Sequence, residues 1–418
     1  MISKPIFTSL SPNAEKDDIL HSLSVLFRPF SWKKGDKAKD LEEEFKKRFK
    51  TEYAFSFNSG RSGLLLILKA IGLLEGQEVL LQAFTCNAAV NPILSFKAVP
   101  VYVDIEETLN MDPEDLKRKI TEKSRAVIIQ HTFGWPSKIE EVRKIAQENN
   151  LFLIEDCAHS LGASFKEEYC GSFGDAAFFS FGRDKIISSV FGGMAVTGRK
   201  DIGEKIKIEW EKLKSPSFFW IFQQLLHPFV SCCLVLPAYA VSQHAGRLLI
   251  GAFHKLSILS KAVYKKEKKG EIPSYFPTRM PDALASLALM QLKKLERFNR
   301  HRKEVSRLYQ RELEEFKAPF SGSERDRQPS YLKYPVFIQG DTDYFLKKAR
   351  ENKVYLNDGW RKAAIVPPDT DLEKMKYVKG SCPSAEKAAE RIVNLPCHIG
   401  INQKEARKII KLLKKYGR

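Results

Sequence analysis

The sequence lacks any two cysteines at the spacing of a metal site or a redox motif. Its seven cysteines are scattered along the chain, their number is odd, and no pair has the C-x-x-C spacing. The first ten residues, MISKPIFTSL, also lack the apolar core and the cleavage site of a secretory signal peptide. We therefore expect a cytoplasmic chain with reduced thiols and no bound metal.

A second absence concerns nucleic-acid recognition. The net charge of +18, from 69 lysines and arginines against 51 acidic residues, favours an anionic partner such as nucleic acid, an anionic membrane or a phosphorylated substrate. No DNA- or RNA-binding motif accompanies that charge. We therefore expect no nucleic-acid partner.

Apolar runs rich in β-branched residues alternate with helical patterns between about residues 50 and 200. The helical pattern at 137–150, SKIEEVRKIAQENN, begins at Ser137, a suitable N-cap. Continuous apolar strands that alternate with helices are typical of a parallel sheet covered on both faces, and ligands bind at the carboxyl ends of such strands. The apolar runs are EVLL (78–81), AVPVYVDI (98–105), RAVIIQH (125–131), LFLIED (151–156) and DAAFFSF (175–181).

The C-terminal part has a different pattern. Residues 281–313 predict one long amphipathic helix, and strand-like runs follow at 331–338 and 353–356. A basic helix closes the chain. The chain length of 418 residues is sufficient for more than one domain. We predict a large α/β domain (1–208), a helical insertion (209–274) and a smaller α+β domain that includes the long helix (275–418).

Residues 215–259 are apolar but are not an uninterrupted apolar run. Gln223, Gln224 and His227 break the densest part together with three prolines, so a membrane-spanning helix is a weak interpretation. Lysine-rich segments flank this stretch on both sides. Two interpretations stay open, a membrane-surface or re-entrant element and a helical insertion buried in an oligomer interface.

A glycine-led helix start follows the strand-like YAFSF. In FNSGRSGLLLILKAIG (57–72), Asn58 or Ser59 can cap the helix and Gly60 allows close approach of the backbone to a ligand. The free N–H groups of a helix start bind anions, and a guanidinium such as that of Arg61 suits phosphate. The same pattern also occurs at ordinary helix starts, so alone it only suggests phosphate binding.

Two further polar groups follow neighbouring apolar strands. Asp156 comes directly after one strand, where it could cap a helix or meet a ligand, and His159 could be a packed histidine or a neighbour of a cofactor. Ser180 and Lys185 follow the next strand, in SFGRDKIISSVFGG. Lys185 alone could be a solvated loop residue, a phosphate-binding cation or a covalent cofactor anchor. Both strands should end at one edge of the sheet.

Together these groups satisfy the needs of pyridoxal 5′-phosphate. That cofactor requires a phosphate-binding turn, a lysine amine for a Schiff base and a carboxylate beside its ring nitrogen. The carboxylate keeps the nitrogen protonated, which makes the ring an electron sink. The order of turn, aspartate and lysine, each at a strand end, is the order that a fold-type I enzyme requires.

The sequence resembles the DegT/StrS family of sugar aminotransferases, which are fold-type I pyridoxal phosphate enzymes. The similarity runs over about residues 35–200 and from about 275 to the end. Its motifs are NSGRSGL, LIEDCAHSLGASF, GSFGDAAFFSFGRDKIISSVFGG, TRMPDALASLALMQLKKL and LPCHIGI. The resemblance implies a large domain with a mostly parallel central sheet, a smaller C-terminal domain and a homodimer in which each subunit completes its neighbour's active site.

The resemblance also implies roles for individual residues. Lys185 corresponds to the lysine of the internal aldimine and Asp156 to the partner of the pyridine nitrogen. His159 stands where the family usually has a glutamine near the cofactor. The phosphate-binding positions are Gly60, Arg61, Ser62 and Ser180.

Three positions depart from the family pattern. Arg61 stands where a small threonine is common, and Pro277 stands where an asparagine usually reaches the phosphate of the neighbouring subunit. Cys86 stands where a ring-stacking aromatic is usual, and Phe84 is two positions too early. These departures affect cofactor contacts and the substrate pocket, but not the lysine and the aspartate.

The resemblance implies an aminotransferase that moves an amino group from glutamate to a keto-sugar, by expectation a nucleotide-linked one. One alternative is a pyridoxal phosphate-dependent sugar dehydratase, although such relatives tend to replace the lysine by histidine. Another is a non-catalytic membrane-associated binding or regulatory protein on this scaffold. The segment 215–259 predicts contact with the inner face of the membrane.

Overall fold

The computed structural model describes residues 4–10, 13–316, 318–320 and 326–418. The strands are β1 (Ile6–Phe7), β2 (Tyr53–Phe57), β3 (Glu78–Gln82), β4 (Thr85–Cys86), β5 (Val99–Val103), β6 (Ser124–Gln130), β7 (Phe152–Asp156), β8 (Ser164–Phe165), β9 (Glu168–Tyr169), β10 (Ala176–Ser180), β11 (Gly193–Thr197), β12 (Arg327–Gln328), β13 (Lys333–Phe337), β14 (Val354–Tyr355), β15 (Ile365–Val366) and β16 (Ile392–Pro396).

The α-helices are α1 (Lys16–Leu26), α2 (Lys37–Phe49), α3 (Gly60–Ala70), α4 (Asn87–Ser95), α5 (Pro113–Lys119), α6 (Ile139–Glu148), α7 (Lys200–Glu211), α8 (Phe218–Phe229), α9 (Leu236–Val241), α10 (Gln243–Lys255), α11 (Asp282–Leu292), α12 (Leu295–Glu312), α13 (Thr342–Glu351), α14 (Pro383–Arg391) and α15 (Gln403–Tyr416). A π-helical turn, Val230–Val235, joins α8 to α9. Short 3₁₀ turns lie at Pro29–Ser31, Thr132–Gly134 and Glu267–Lys269.

A seven-stranded sheet forms the centre of the molecule, with the order β2-β11-β10-β7-β6-β3-β5. Its neighbouring strands are parallel except that β11 runs antiparallel to both β2 and β10. All five apolar runs predicted as strands form β3, β5, β6, β7 and β10. The predicted α/β class with a mostly parallel central sheet is therefore confirmed.

Apolar side chains cover both faces of this sheet. Along β10, Phe178 packs into the cluster that contains α3, whereas Phe179 packs into the cluster that contains α2 and α11. This alternation follows from the two-residue period of a strand, which sends successive side chains to opposite faces. Because helices cover both faces of the sheet, a ligand can approach it at the edge formed by the carboxyl ends of its strands.

The C-terminal part contains an antiparallel pair, β13 with β16, beside α12, α13 and α15. The N-terminal strand β1 pairs with β14, so the beginning of the chain packs against this part. A short parallel bridge between β15 and β4 brings C-terminal residues to the edge of the central sheet. The division of the chain at residues 208 and 274 remains a prediction.

Two local predictions are wrong. Ser137 does not cap α6, because its hydroxyl donates to the Gln130 carbonyl at 2.7 Å and the helix begins at Ile139 after an N-cap at Lys138. The long helix of 281–313 is divided into α11 and α12 by a turn at Lys293–Lys294. At that turn, the Lys294 ammonium forms ion pairs with the acidic start of the chain, at Glu15, Asp17 and Asp18.

The apolar insertion is helical. Residues Phe218–Val241 form one continuous helix that is long and apolar enough to cross a membrane, but 56% of its apolar window is buried inside the protein. Its first part, α8, packs against α1 and α11, and the Ser22 hydroxyl donates to the Leu225 carbonyl. The inner face of this helix therefore belongs to the core of the chain.

Candidate active site

A cleft of about 260 Å³ lies at the edge where β7 and β10 end and α3 begins. Seven of the eight residues predicted to bind a cofactor line this cleft, and they come from four separate segments of the chain. The seven are Gly60, Arg61, Cys86, Asp156, His159, Ser180 and Lys185. The eighth, Ser62, does not line it, because its hydroxyl donates to the Asn58 side chain at 2.7 Å.

The start of α3 is held tightly against the sheet. Ser59 is the N-cap, and its hydroxyl accepts a hydrogen bond from the Ser62 N–H at 3.2 Å. A Cβ atom on Gly193 would lie 2.3 Å from the Gly60 nitrogen, so only glycine fits at the start of β11. A Cβ on Gly60 itself would come to 3.0 Å from the Phe179 carbonyl oxygen. The two glycines thus let the helix start approach the strand ends closely.

Asp156 is a buried carboxylate at the end of β7. It is 7% exposed, and its Oδ1 accepts a hydrogen bond from the Ala158 N–H at 2.9 Å. Burial raises the pKa of the Asp156 carboxyl above its usual value, although the Ala158 N–H and the positive charge of Lys185 oppose this shift. A cationic group placed beside Asp156 would relieve the cost of the buried charge.

The turn that carries Lys185 is held by hydrogen bonds of its own backbone and by the side chain of Asn13. The Lys185 N–H donates to the Gly182 carbonyl at 3.2 Å, and the Gly182 N–H donates to the Ser180 hydroxyl at 3.4 Å. Within the described chain, no group accepts a hydrogen bond from the Lys185 ammonium. The amine is therefore available to a ligand in the cleft.

His159 is a neutral base in an aromatic setting. Its Nδ1 accepts a hydrogen bond from the Phe133 N–H at 3.3 Å, and its ring lies 5.1 Å from the ring of Trp360, edge to face. Burial holds the pKa of His159 well below its ordinary value, and the nearby charges of Lys185 and Lys333 act in the same direction. Since Nδ1 accepts, the proton of the neutral ring is on Nε2.

The guanidinium of Arg61 is directed toward the insertion (209–274). The guanidinium forms an ion pair with the fully buried Glu267 and lies 4.5 Å from the centre of the Phe276 ring. The backbone at Arg61 still belongs to the anion-binding start of α3, but the side chain is committed to the segment after α10. Glu267 receives further support, since the side chain of Asn91 donates to its carbonyl at 2.9 Å.

These groups fit pyridoxal phosphate. The helix start and the Ser180 hydroxyl supply donors for a phosphate, the unbonded Lys185 amine lies in the same cleft, and the buried carboxylate of Asp156 has a raised pKa that a protonated ring nitrogen would lower. A phosphate-binding turn, a lysine amine and a buried carboxylate are the groups by which an enzyme holds this cofactor.

The sequence matches the profile of the DegT/DnrJ/EryC1/StrS aminotransferase family over residues 13–223 and 246–414. The chain belongs to this family. Residues 224–245 lie outside the match, which therefore extends further than the ranges 35–200 and 275–418 expected from the sequence. Family membership confirms the predicted fold type, the cofactor and the enzyme class, a pyridoxal phosphate-dependent aminotransferase.

Individual proteins show how far the likeness extends. An uncharacterized protein of Methanocaldococcus jannaschii is 28% identical over 397 residues, which are 91% of this chain and 90% of that protein. A GDP-perosamine synthase of Escherichia coli O157:H7 is 38% identical over 173 residues, 41% of this chain and 48% of the synthase, so this match spans about half of that enzyme. The Helicobacter pylori aminotransferase PseC, involved in the biosynthesis of pseudoaminic acid, superposes with a TM-score of 0.74 at 20% identity over 99% of both chains, a likeness of fold alone.

Several residues around the cleft of this aminotransferase could not be predicted from its sequence. Cys86, which was predicted to lie at the cofactor, is the N-cap of α4, and burial raises the pKa of its thiol. Phe84 is fully buried and does not line the cleft, whereas Trp360 does. Asp358 also lines the cleft and accepts a hydrogen bond from the buried Lys333 ammonium at 2.8 Å. The sequence around 358–360, NDGWRK, carries no strand-end pattern that would single these residues out.

Proposed function

We propose that the chain moves an amino group from glutamate to a nucleotide-linked keto-sugar, with Lys185 as the residue that bonds pyridoxal phosphate covalently. The observation that carries the proposal is the joint presence of Lys185 and Asp156 in one cleft beside the α3 start. The match to a GDP-perosamine synthase supports a sugar substrate on a nucleotide carrier.

Each residue has a defined task in this reaction. Pyridoxal phosphate, when bound, supplies an electron sink for the pair released from the donor's C–H bond. Asp156 would hold the proton at the ring nitrogen, and the Lys185 amine would take the proton from the α-carbon of glutamate and give it to the cofactor carbon that carried the aldehyde. The N–H groups at Gly60 and Arg61 and the hydroxyl of Ser180 bind the phosphate.

The decisive experiment is a half-reaction with glutamate alone, followed by the keto-sugar nucleotide. We expect the visible absorbance of the bound cofactor to change with glutamate and to return when the keto-sugar accepts the amine. Lys185→Ala should lose this absorbance and all turnover, while the matched loop variant Lys166→Ala should keep both. Full activity in Lys185→Ala would refute the role of the lysine.

The same assay separates the alternatives. A sugar dehydratase would release a deoxy-keto-sugar without lasting transfer of nitrogen from glutamate to the sugar. A non-catalytic regulatory protein would show neither a change in cofactor absorbance nor a sugar product. Retention of Lys185 favours the aminotransferase over the dehydratase.

We also propose a homodimer with shared active sites, as the family resemblance implies. Sedimentation velocity at micromolar concentration should give about twice the chain mass of 47.8 kDa. A monomer with full activity would remove this part of the proposal.

We further propose that segment 215–259 contacts the inner face of the membrane, lying on its surface. Three phenylalanines on the outer face of α8 remain exposed, Phe218 at 51%, Phe219 at 59% and Phe222 at 37%. The Lys33 ammonium lies 4.2 Å from the centre of the Phe218 ring, so positive charge accompanies this aromatic face. Exposed aromatic side chains beside lysines suit the interface of an anionic bilayer. The other face of α8 is buried in the protein, which favours contact of the helix with the membrane surface over a helix that crosses the membrane.

A further inference from the structure

Arg183 is a partly buried cation that forms no ion pair with the described residues, although the charge of the neighbouring Asp184 acts on it. One guanidinium nitrogen, Nη2, donates to the backbone oxygen of Ser260 at 2.7 Å and to its hydroxyl at 2.6 Å. The Nε atom is buried without a hydrogen-bond partner, and in the described part of the chain no carboxylate forms an ion pair with this guanidinium. The neighbouring Asp184 lies 3.8 Å from the Lys333 ammonium instead. Burial of an unpaired charge is costly, so such a group is kept where a ligand supplies the missing charge.

The other cations of the cleft are committed. Arg61 pairs with Glu267, and Lys333, beside the cleft, pairs with Asp358. Lys185 is reserved for the cofactor under the proposed function. Among the described residues that line the cleft, Arg183 is therefore the cation left for an oxyanion of a ligand.

The insertion holds this guanidinium in place. Ser260 is 3% exposed, and its hydroxyl donates to the Gln224 side chain at 2.8 Å. Gln224 is fully buried, and its amide donates back to the Trp220 carbonyl of α8 at 2.8 Å. The ring of Phe191 lies 5.5 Å from the guanidinium carbon. Gln224 is the first residue outside the family match, whereas Ser260 lies inside its second part, 246–414.

We propose that Arg183 binds the oxyanion of a ligand in the cleft, a carboxylate of the amino-acid donor, with Ser260 and Gln224 as its positioning residues. This inference rests on the proposed aminotransferase function. A guanidinium presents parallel N–H donors that match a carboxylate or a phosphate. The carboxylate is the better match, because the cofactor phosphate already has donors at the α3 start and Ser180.

The test uses the pyridoxal phosphate-loaded enzyme with Arg183→Ala, Arg183→Lys and the exposed control Arg300→Ala. In the half-reaction, Arg183→Ala should raise the KM for glutamate about 10- to 100-fold, and Arg183→Lys should raise it less. The affinity for pyridoxal phosphate and the KM for the keto-sugar nucleotide should stay within about twofold. Circular dichroism melting identifies any variant that fails to fold, and Arg183→Lys then carries the comparison.

A binding measurement makes the result independent of turnover. Glutarate cannot donate an amine, and calorimetry should show about 10- to 100-fold weaker glutarate binding to Arg183→Ala than to the unchanged enzyme. Loss of pyridoxal phosphate affinity with an unchanged KM for glutamate would assign Arg183 to the cofactor phosphate and overturn the inference, as would a rise confined to the sugar nucleotide. If the unchanged enzyme binds glutarate but transfers no amine, the proposed function fails while this subsite stands.

The positioning residues have their own readout. Ser260→Ala and Gln224→Leu should raise the KM for glutamate and leave the KM for the keto-sugar nucleotide unchanged. A general loss of packing would lower kcat and the melting temperature and would move both KM values together. An unchanged KM for glutamate in both variants would refute the positioning role.

Discussion

The side chain of Asn13 donates a hydrogen bond to the backbone oxygen of Lys185 at 2.7 Å. The same amide also donates to the oxygen of Ile186 at 2.7 Å, and its own Oδ1 accepts from the fully buried Arg302 at 2.8 Å. The N-terminal segment therefore fixes the turn that carries the lysine. Asn13 is the side-chain donor to the Lys185 carbonyl, whereas the Ile186 carbonyl also accepts a hydrogen bond from Arg302 at 3.2 Å.

Replacement of Asn13 by alanine should loosen this turn. Because the Lys185 carbonyl would lose its donor and the buried Arg302 would lose an acceptor, we expect the free energy of unfolding to fall by about 2 kcal/mol, with a lower kcat and little change in the KM for glutamate. Chemical denaturation and the half-reaction measure the two effects. The exposed Asn352→Ala should change neither, and a normal kcat for Asn13→Ala would contradict the bracing role.

Replacement of Gly193 by alanine should weaken cofactor binding. The new Cβ would press on the Gly60 nitrogen and displace the start of α3, so we expect at least about a tenfold loss of pyridoxal phosphate affinity. Gly198 directly follows the same strand, and a Cβ added there would have no atom within 4 Å, which makes Gly198→Ala the matched control. Equal affinity in both variants would show that the helix start does not bind the phosphate.

Asp156→Asn should separate stability from catalysis. Burial raises the pKa of Asp156, so this group contributes stability at low pH that is lost as the pH rises through the raised value. The cofactor-free variant should therefore melt at a higher temperature than the unchanged protein at pH 7, and the difference should shrink on acidification.

The catalytic effect of the same change should have the opposite sign. A neutral amide cannot hold a proton at the ring nitrogen, so kcat should fall by about 100-fold or more. Turnover of the loaded enzyme and melting of the cofactor-free protein provide the two measurements. A variant as active as the unchanged enzyme would remove Asp156 from the mechanism.

We expect the buried His159 to make the stability of the folded protein sensitive to acid. Its pKa is held well below the ordinary value of 6.5, so its contribution to stability is present above that value and is lost as the pH falls toward the folded-state pKa. From pH 6.5 downward we expect a loss of up to about 1.4 kcal/mol per pH unit from this residue. His159→Asn should reduce the slope of unfolding free energy against pH, whereas the exposed His244→Asn should not. An unchanged slope in His159→Asn would contradict a neutral buried ring.

The aromatic face of α8 predicts lipid binding. Phe218→Ser with Phe219→Ser should reduce flotation with phosphatidylglycerol-containing vesicles by about tenfold or more, because two half-exposed rings lose their apolar contact. High salt should also reduce flotation, since lysines contribute. Leu74→Ser with Val378→Ser removes exposed apolar groups elsewhere and serves as the control. A double variant that becomes monomeric and still floats would assign this face to the subunit interface instead.

Local patterns account for much of the fold and of the site. Apolar runs predicted the strands β3, β5, β6, β7 and β10 of the central sheet, because burial on both faces demands continuous apolar sequence. Asp156 and Lys185 could be placed at one edge because each follows such a run. The helix break at Lys293–Lys294 could not, since no proline or glycine marks it and its ion pairs come from the distant start of the chain.

Long-range contacts set the rest of the site. Trp360 and Asp358 reach the cleft because β15 pairs with β4, a pairing between segments far apart in sequence. The partners of Arg61 and Arg183, Glu267 and Ser260, belong to the insertion, and no periodicity connects them with the cleft. Charged and small polar residues of this kind acquire a role only from their neighbours in space.

The turn between Lys185 and Gly193 is anchored at both of its ends. At one end, Asn13 donates a hydrogen bond to the Lys185 carbonyl. At the other end, Gly193 begins β11, which is antiparallel to its neighbours, and a side chain at Gly193 would collide with the Gly60 nitrogen. The turn therefore joins the residue that carries the amine to the strand that supports the α3 start. On the opposite side, residues 262–263 and 358–360 complete the wall of the cleft, so the donor and acceptor substrates must fit between these segments and the fixed turn.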